Sequence, residues 1–327
     1  MRCSRIVVLA LVTVAMAGAA GAPAGKGAWW RPDLDMKFQY QLSVAMDPDK
    51  HFIPGVQVYF IDGFDTPAEV VAALKAKGND TWPVIPVCYI SAGTVEDWRP
   101  DAAEFTEEDK GAPLLDWEGE AWVNTRSDNV RRIMHKRLEM CRDKGFPAVD
   151  PDNVNAYTNP NALGLTAADQ LDYNRWLADS AHELGLAVGL KNDLEQLRQL
   201  APHFDFFVNE QCHVYNECGM YAPVKAAKKP IWGIEYEPGA FKVACKNATR
   251  SGIQPIFKKI DLNACRQDCD SKTLECPKDG DQGAAGSGEE GPEAFANAGG
   301  SAAAPARAWA RLLPLAAALA LARALVL

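Results

Sequence analysis

The sequence predicts a single-domain (β/α)8 barrel, stabilised by disulfides. Short apolar runs alternate with longer amphipathic segments between residues 28 and 278. That stretch of roughly 250 residues suits one domain of this class. A doubly wound sheet is the alternative, but it usually carries a glycine-rich phosphate loop after its first strand. No such loop follows the first two apolar runs, FQYQLS and VQVYFID.

Eight apolar runs are predicted to be strands. Several of them are apolar at every position, as strands must be when they are buried between a core and covering helices. They are Phe38–Ser43, Val56–Asp62, Pro83–Ser91, Phe146–Asp150, Leu186–Asn192, Asp205–Glu210, Pro230–Tyr236 and Gln254–Lys258.

Helix-start signals stand between these strands. Thr66 and Thr166 each begin a capping box, in which a threonine is followed three residues later by an acid. Ser127 is the expected cap of a third helix, and Asn192 or Asp193 that of a fourth. The region between the first two strands carries no comparable signal.

Both ends of the chain differ from the domain. Residues 1–20 have a basic start, an apolar stretch and small residues, the layout of a secretory signal peptide. Residues 279–305 are rich in Gly, Ala and Ser, which predicts a disordered linker. Residues 306–327 form an apolar tail, and we expect a GPI attachment signal there rather than a membrane helix. Gly299, Gly300 and Ser301 are the candidate attachment residues.

The cysteines fit the same compartment. Once Cys3 leaves with the signal peptide, eight remain, an even set that can pair completely in an oxidising lumen. Cys212 and Cys218 form the most local possible pair, although sequence fixes no connectivity. A zinc cluster is disfavoured because no CxxC occurs and the chain has only five histidines. Asn79 and Asn247 begin glycosylation sequons.

Charge narrows the range of partners. The formal net charge of −9 disfavours nucleic acid and favours a neutral or cationic ligand. We expect a monomer without cofactor or metal, with contact to a membrane only through the anchor or tail.

Acids, amides and aromatics recur at the carboxyl ends of the predicted strands, where a barrel places its active site. Opposing carboxylates among such groups are suited to hydrolysis of a glycosidic bond. The side chains are Asp62, Tyr89, Asp150, Asp152, Asn192, Glu210, Glu235 and Tyr236. Asp150-Pro151-Asp152-Asn153 can equally be a turn, since these residue types favour turns. We interpret it as both a turn and a site.

The chain resembles the catalytic domain of glycoside hydrolase family 114, the endo-α-1,4-polygalactosaminidase family. The matching stretches lie between roughly residues 29 and 270 and include VYFIDGFDT, GFPAVDPDNVNAY, GLKND, VNEQCHVYNEC and GIEY. The resemblance implies a TIM-like barrel and an endo-acting hydrolase of α-1,4-linked galactosamine polymers. One departure is Asn155, which stands where the family commonly has an acid.

The resemblance also implies a catalytic Asp after strand four and a catalytic Glu after strand six. We assign these roles to Asp152, as nucleophile of a retaining mechanism, and to Glu210, as acid/base. The remaining acids, amides and tyrosines at the strand ends are expected to bind the sugar: Asp150, Asp62, Asn192, Glu235, Tyr89 and Tyr236. A catalytically silent carbohydrate-binding barrel and a metal-dependent deacetylase are the alternatives.

Overall fold

Eight parallel strands dominate the structure, a computed structural model that describes residues 29–115 and 117–277. Numbered in chain order, all strands of the chain are β1 (Phe38–Gln41), β2 (Val58–Asp62), β3 (Ile85–Ser91), β4 (Thr94–Glu96), β5 (Lys110–Pro113), β6 (Glu120–Val123), β7 (Ala148–Asp152), β8 (Ala187–Lys191), β9 (Phe206–Glu210), β10 (Ile231–Glu235) and β11 (Ile253–Phe257). The parallel sheet has the order β1-β2-β3-β7-β8-β9-β10-β11. The predicted TIM-like (β/α)8 fold is confirmed.

Helices cover the outer face of this sheet. They are α1 (Ala68–Lys75), α2 (Asp128–Asp143), α3 (Ala167–Glu183), α4 (Leu197–Leu200), α5 (Cys212–Tyr215), α6 (Ala222–Ala226) and α7 (Pro238–Ser251). Within the described residues, β1 and β2 are joined without a helix, which agrees with the missing helix signal there. No helix of residues 29–115 or 117–277 is both long and apolar enough to cross a membrane.

Successive side chains of each strand point to opposite faces of the sheet, so the apolar residues form two groups. One set fills the barrel interior and includes Phe38, Phe60, Phe206 and Trp232. The other lies under the helices. Gly189 faces the interior because a Cβ atom there would stand 2.1 Å from the ring of Phe206. The aromatic rings therefore close the lower barrel and leave free space only toward the mouth.

Side chains connect β11 to β1. The buried Lys258 donates hydrogen bonds from Nζ to Gln39 Oε1 at 3.2 Å and to the Asn263 carbonyl at 2.6 Å. Gln39 in turn donates to the Ala264 carbonyl at 2.7 Å. The segment after β11 thus links the two ends of the parallel sheet.

A second sheet stands beside the mouth, and the sequence did not predict it. Between β3 and α2 the chain forms three antiparallel strands in the order β4-β6-β5. Glu96 on β4 lies opposite Glu120 on β6 in this sheet. Such a pair of acids is costly unless other groups compensate for their charge.

The helix caps agree only partly with the sequence prediction. Ser127 accepts a hydrogen bond from the Val130 amide, and Thr166 forms a complete capping box with Asp169. The predicted capping box at Thr66 is wrong, because α1 has Pro67 at its N-cap and no side-chain cap bond. Asp193 precedes a short 3-10 turn without capping it, since its carboxylate is bonded to Tyr157 and Asn174 instead.

The eight cysteines of the domain form four disulfides. They join Cys88 to Cys141, Cys212 to Cys218, Cys245 to Cys269 and Cys265 to Cys276. The predicted local pair is confirmed. The predicted signal peptide, linker, anchor tail and attachment residues lie outside the described residues.

Candidate active site

The alternating side chains of β7 bring two acids to the barrel axis. Ala148 faces the interior, so Asp150 and Asp152 face the same way. The sequence-based interpretation of Asp-Pro-Asp as a turn is wrong, because β7 continues through Asp152. The turn begins only at Asn153, whose φ of 61° lies in the left-handed region.

The two acids of β7 occupy different depths. Asp150 is fully buried, and its Oδ2 accepts a hydrogen bond of 2.9 Å from the Tyr40 hydroxyl. Asp152 is 9% exposed, and its Oδ2 accepts one of 3.1 Å from Tyr89. Only Asp152 lines the cavity at the barrel mouth.

Lys191, at the end of β8, lies between Asp152 and Glu210. Its Nζ lies 3.2 Å from Asp152 Oδ2 and 3.2 Å from Glu210 Oε2. It also donates to the Tyr40 hydroxyl at 3.1 Å. Burial alone would lower the pKa of Lys191, but Asp152, Glu210 and Asp150 raise it well above its ordinary value. Lys191 is therefore a permanent cation between two carboxylates.

Glu210 ends β9 and has three further hydrogen bonds. Tyr236 donates its hydroxyl proton to Oε1 at 2.5 Å, and Asn192 Nδ2 donates to Oε2 at 3.3 Å. The Glu210 amide donates to Asn192 Oδ1 at 3.0 Å. Burial, and then the Glu210 charge, raise the pKa of Tyr236 well above its ordinary value. Tyr236 thus stays a hydroxyl donor, and the position of Glu210 is fixed from three sides.

The backbone turns sharply after each of these strands. Asn153, Asn192 and Gln211 all have positive φ, of 61°, 52° and 62°. Asparagine tolerates this region better than most residues, whereas glutamine there is uncommon. Gly93 allows the turn after β7, since a Cβ atom on it would stand 1.6 Å from the Asn153 carbonyl oxygen. Backbone strain of this kind is concentrated at functional sites.

The cavity at the mouth has a volume of about 290 Å³ and is open to solvent. Aromatic, acidic and a few cationic side chains share its walls. The charged and aromatic lining residues are Asp62, Asp65, Glu96, Glu120, Asp152, Glu210, Asp261, Arg99, Lys191, Tyr89, Tyr236, Trp98 and Trp117. A concave site with two carboxylates beside the reacting space can perform acid–base and nucleophilic chemistry on a glycosidic bond.

Comparison with known proteins identifies the family. The model of the glycoside-hydrolase family GH114 matches residues 19–274. The chain belongs to family GH114. It is accordingly a glycoside hydrolase.

Solved structures agree with this assignment. The GH114 protein is 36% identical to Ega3 of Aspergillus fumigatus, solved in complex with galactosamine, over 74% of this chain and 98% of that chain, with a TM-score of 0.69. The glycoside hydrolase domain of PelA from Pseudomonas aeruginosa is 15% identical over 69% of this chain and 95% of that chain, with a TM-score of 0.55. The PelA likeness concerns the fold alone. A search of curated proteins returned no match.

Most residues predicted for the GH114 site meet at the mouth. Asp62, Tyr89, Asp152, Glu210 and Tyr236 line the cavity. Asn192 contacts Glu210 from behind, and Asp150 lies below. Burial raises the pKa of Asp150 to about 7. Asn155 is buried and is not a lining residue, so its departure from the family pattern lies away from the cavity surface.

The side chain of Glu235 points away from the barrel axis, unlike those of Asp152 and Glu210. It is buried, but its Oε1 accepts a hydrogen bond of 3.1 Å from the His213 amide, on the outer side of β10. It is not among the cavity-lining residues. Burial raises the pKa of Glu235 to about 7. Of the predicted strand-end acids, Asp150 lies beneath the cavity, and Glu235 is the one whose side chain faces away from the barrel axis.

Asp62 is paired inside the cavity wall. Arg99 donates to both of its carboxylate oxygens, at 3.1 Å and 2.7 Å, and also to Glu96 Oε1 at 2.8 Å. All three side chains are buried. Asp62 Oδ1 additionally accepts from the amides of Phe64 and Asp65, which fixes the loop after β2.

Sequence reasoning assigned no role to Lys191, Arg99 or Glu120. Lys191 follows an apolar run that gave a strand-end position but no partner. Arg99 and Glu120 belong to the insertion, whose strands carry weak patterns of three and four residues. Their contacts depend on the insertion folding back over the barrel, which local periodicity does not predict.

The remaining candidate groups lie elsewhere. Asn79 is exposed, and its Oδ1 accepts from the Thr81 hydroxyl at 2.8 Å. Asn247 lies half-buried on α7 and accepts from Arg250. In the described part of the chain, Cys212, His213 and Cys218 are the one group with closely spaced metal-ligand atoms. Two of those atoms are joined in a disulfide, so the group offers a single imidazole.

Proposed function

We propose that this protein is a secreted, surface-anchored, endo-acting glycoside hydrolase that cleaves α-1,4-linked galactosamine polymers with retention of configuration. The observation that carries the proposal is the pair Asp152 and Glu210, held by one lysine in a cavity lined with acids. The likeness to Ega3, a structure with bound galactosamine, supports the choice of sugar.

Asp152 is the nucleophile in this proposal. It lines the cavity, whereas Asp150 is sealed beneath it and bonded to Tyr40. A nucleophile must come within about 3–3.5 Å of the anomeric carbon, which requires an exposed oxygen. Asp150 instead supports the site from below.

Glu210 is the acid/base. In the first step it gives its proton to the leaving oxygen while Asp152 bonds to the anomeric carbon. In the second step Glu210 takes a proton from water, whose oxygen displaces Asp152. In this second step Asp152 is esterified, so the Lys191 ammonium pairs with Glu210 alone.

The shared lysine also supports retention. Each carboxylate oxygen lies 3.2 Å from Lys191 Nζ. N–H bonds that diverge at the tetrahedral angle hold two acceptors at such a distance roughly 5 Å apart. That separation is typical of retaining enzymes, whereas inverting enzymes need about 6.5–9.5 Å.

The cavity charge suits a cationic polymer. Seven carboxyl groups line it against two cationic side chains, Arg99 and Lys191. Trp98 and Trp117 are exposed at 53% and 38% and offer flat faces for sugar rings. An open cleft of this kind admits the middle of a chain, in agreement with endo action.

Secretion and anchoring rest on other features. Four disulfides need an oxidising compartment to persist. The sequon at Asn79 lies in an exposed turn. The signal peptide and the GPI signal at the tail are proposed from the sequence alone.

Two variants test the proposed reaction. We expect Asp152→Asn and Glu210→Gln each to lower kcat on an α-1,4-galactosamine polymer by about 1000-fold or more. NMR of the first product of the wild type should show the α-anomer. Unchanged cleavage in both variants would overturn the assignment and favour a non-catalytic binding barrel. Loss of activity with a chelator would favour the deacetylase.

A further inference from the structure

The acids of the cavity differ in whether a cation neutralises them. Arg99 contacts Asp62 at 2.7 Å and Glu96 at 2.8 Å. It also lies 3.7 Å from Asp65. Lys191 forms ion pairs with Asp152 and Glu210. The two cationic side chains of the cavity are therefore fully engaged.

Glu120 has no such partner. Its Oε2 accepts a hydrogen bond of 2.8 Å from the Thr94 hydroxyl. Among the described residues, no lysine, arginine or histidine nitrogen lies within 4.0 Å of its carboxylate. Burial, then the charge of Glu96, raises the pKa of Glu120 to about 7, and Asp152 adds to the rise. The charge of Arg99 offsets this rise only in part, so Glu120 is a half-buried carboxyl group with no cation of the described residues in direct contact.

The carboxyl group of Glu120 lines the same cavity as the proposed nucleophile and is linked to it through hydrogen bonds. Thr94 also contacts the Ser91 hydroxyl, which accepts a hydrogen bond of 3.0 Å from Asn153 Nδ2. The Asn153 amide donates to Asp152 Oδ1 at 2.8 Å. This chain of hydrogen bonds fixes the wall that carries Glu120 relative to Asp152.

A sugar attacked by Asp152 places its C2 substituent in the same part of the cavity, because C2 is bonded to the reacting carbon. In galactosamine this substituent is an ammonium group, and in the N-acetylated sugar it is a neutral amide. An ammonium supplies a cation in direct contact with Glu120 and can donate up to three hydrogen bonds. An acetamide carries no charge and has a single N–H donor.

We propose that Glu120 accepts the 2-ammonium group of the galactosamine residue attacked by Asp152 and thereby selects deacetylated over N-acetylated sugar. This inference rests on the proposed function, since it assumes cleavage at a galactosamine residue. Glu120 is a specificity residue in this scheme, whereas the bond-breaking steps belong to Asp152 and Glu210.

Glu120→Gln tests the proposal with little disturbance, because an amide oxygen can still accept the Thr94 hydrogen bond. Kinetics are measured on a fully deacetylated α-1,4-galactosamine oligomer and on its N-acetylated counterpart. We expect kcat/KM on the deacetylated oligomer to fall about 10- to 100-fold, the loss of one charge-assisted hydrogen bond. We expect kcat/KM on the acetylated oligomer to stay within about twofold, which also verifies folding.

Glu118→Gln is the matched control. It removes an equal charge two residues away, at an exposed position that does not line the cavity. Its preference between the two oligomers should equal that of the wild type.

The outcomes separate this inference from the proposed function. A wild type that cleaves neither oligomer would overturn both. A wild type that prefers the deacetylated oligomer, together with a Glu120→Gln variant of equal preference, would overturn this inference alone. Equal losses on both oligomers would show that Glu120 has no role in selecting the amine.

Discussion

The ammonium of Lys191 lies 3.2 Å from the carboxylate of Asp152, and only 2% of the lysine side chain is exposed. The same nitrogen reaches Glu210 at an equal distance. The groups that face Lys191 are Asp150 and Asp152 of β7, Glu210 of β9, Tyr40 of β1 and Tyr89 of β3. One fixed positive charge therefore acts on both proposed catalytic carboxylates.

Replacing that charge should slow the reaction. We expect Lys191→Met to lower kcat/KM about 100-fold or more, because the fixed cation between the two proposed catalytic carboxylates is lost. Steady-state rates on the α-1,4-galactosamine polymer provide the measurement.

Two further variants serve as controls for Lys191→Met. Lys191→Arg keeps the charge and should return part of the activity. Lys225→Met removes a lysine outside the cavity, bonded to the Arg250 carbonyl, and should leave kcat/KM unchanged. A Lys191→Met variant with the kcat/KM of the wild type would contradict the proposed role.

Asp150 and Asp152 should respond very differently to loss of charge. Asp150→Asn keeps an oxygen that can accept the Tyr40 hydrogen bond, and its side chain does not line the cavity. We expect its kcat to fall by no more than about 10-fold, against about 1000-fold for Asp152→Asn. If Asp150→Asn were the more damaging change, the nucleophile would be Asp150.

Glu235 should make stability depend on pH. Its folded pKa is raised from 4.5 to about 7, so the folded state holds the proton more tightly than the unfolded state does. The contribution to stability is fully present below about pH 4.5 and is lost as pH rises through 7. Glu235→Gln should match the wild type at pH 4.5 and be more stable at pH 8, by up to about 3 kcal/mol.

Thermal unfolding at the two pH values measures this difference. Glu237→Gln removes an exposed acid nearby and should change the melting temperature by the same small amount at both pH values. Activity of Glu235→Gln should stay within about twofold, because its carboxyl group faces the His213 amide rather than the cavity. A tenfold rise in KM would support the substrate-binding role predicted from sequence.

The disulfides should differ in their contribution to stability. Cys88–Cys141 closes a loop of 53 residues and ties β3 to α2, whereas Cys212–Cys218 closes one of 6. From loop entropy we expect Cys88→Ala/Cys141→Ala to lower the free energy of unfolding by about 4 kcal/mol, and the shorter pair by about 2 kcal/mol. Denaturant titration of both double variants gives the comparison. Equal losses would contradict the entropic account.

Trp98 should affect binding more than chemistry. It lies exposed on the cavity wall, where a sugar ring can stack on it. We expect Trp98→Ala to raise KM on the polymer about 10-fold with kcat nearly unchanged. Leu115→Ala removes a side chain that is 71% exposed and does not line the cavity, so its KM should equal that of the wild type.

The sequence by itself determined the barrel, its strands and the acids at their ends. Short apolar runs that alternate with amphipathic segments are typical of strands buried on both faces, and the side-chain alternation of β7 and β9 then fixes which residues face inward. The family resemblance added the assignment to GH114. The even number of cysteines predicted complete pairing and made Cys212–Cys218 the most local possible pair, but it fixed no connectivity.

Only the tertiary structure decided how deeply each strand-end side chain is buried, which way it faces and which charged group it pairs with. The strand pattern alone does not distinguish Asp150 from Asp152, yet Asp150 is buried beside Tyr40 and Asp152 lines the cavity. Glu235 follows an apolar run as Glu210 does, but alternation on β10 turns it outward. Lys191, Arg99 and Glu120 gain their partners from segments that are distant in the chain. Such contacts depend on how the strands and the insertion are arranged in three dimensions. The local periodicity of the sequence does not predict that arrangement.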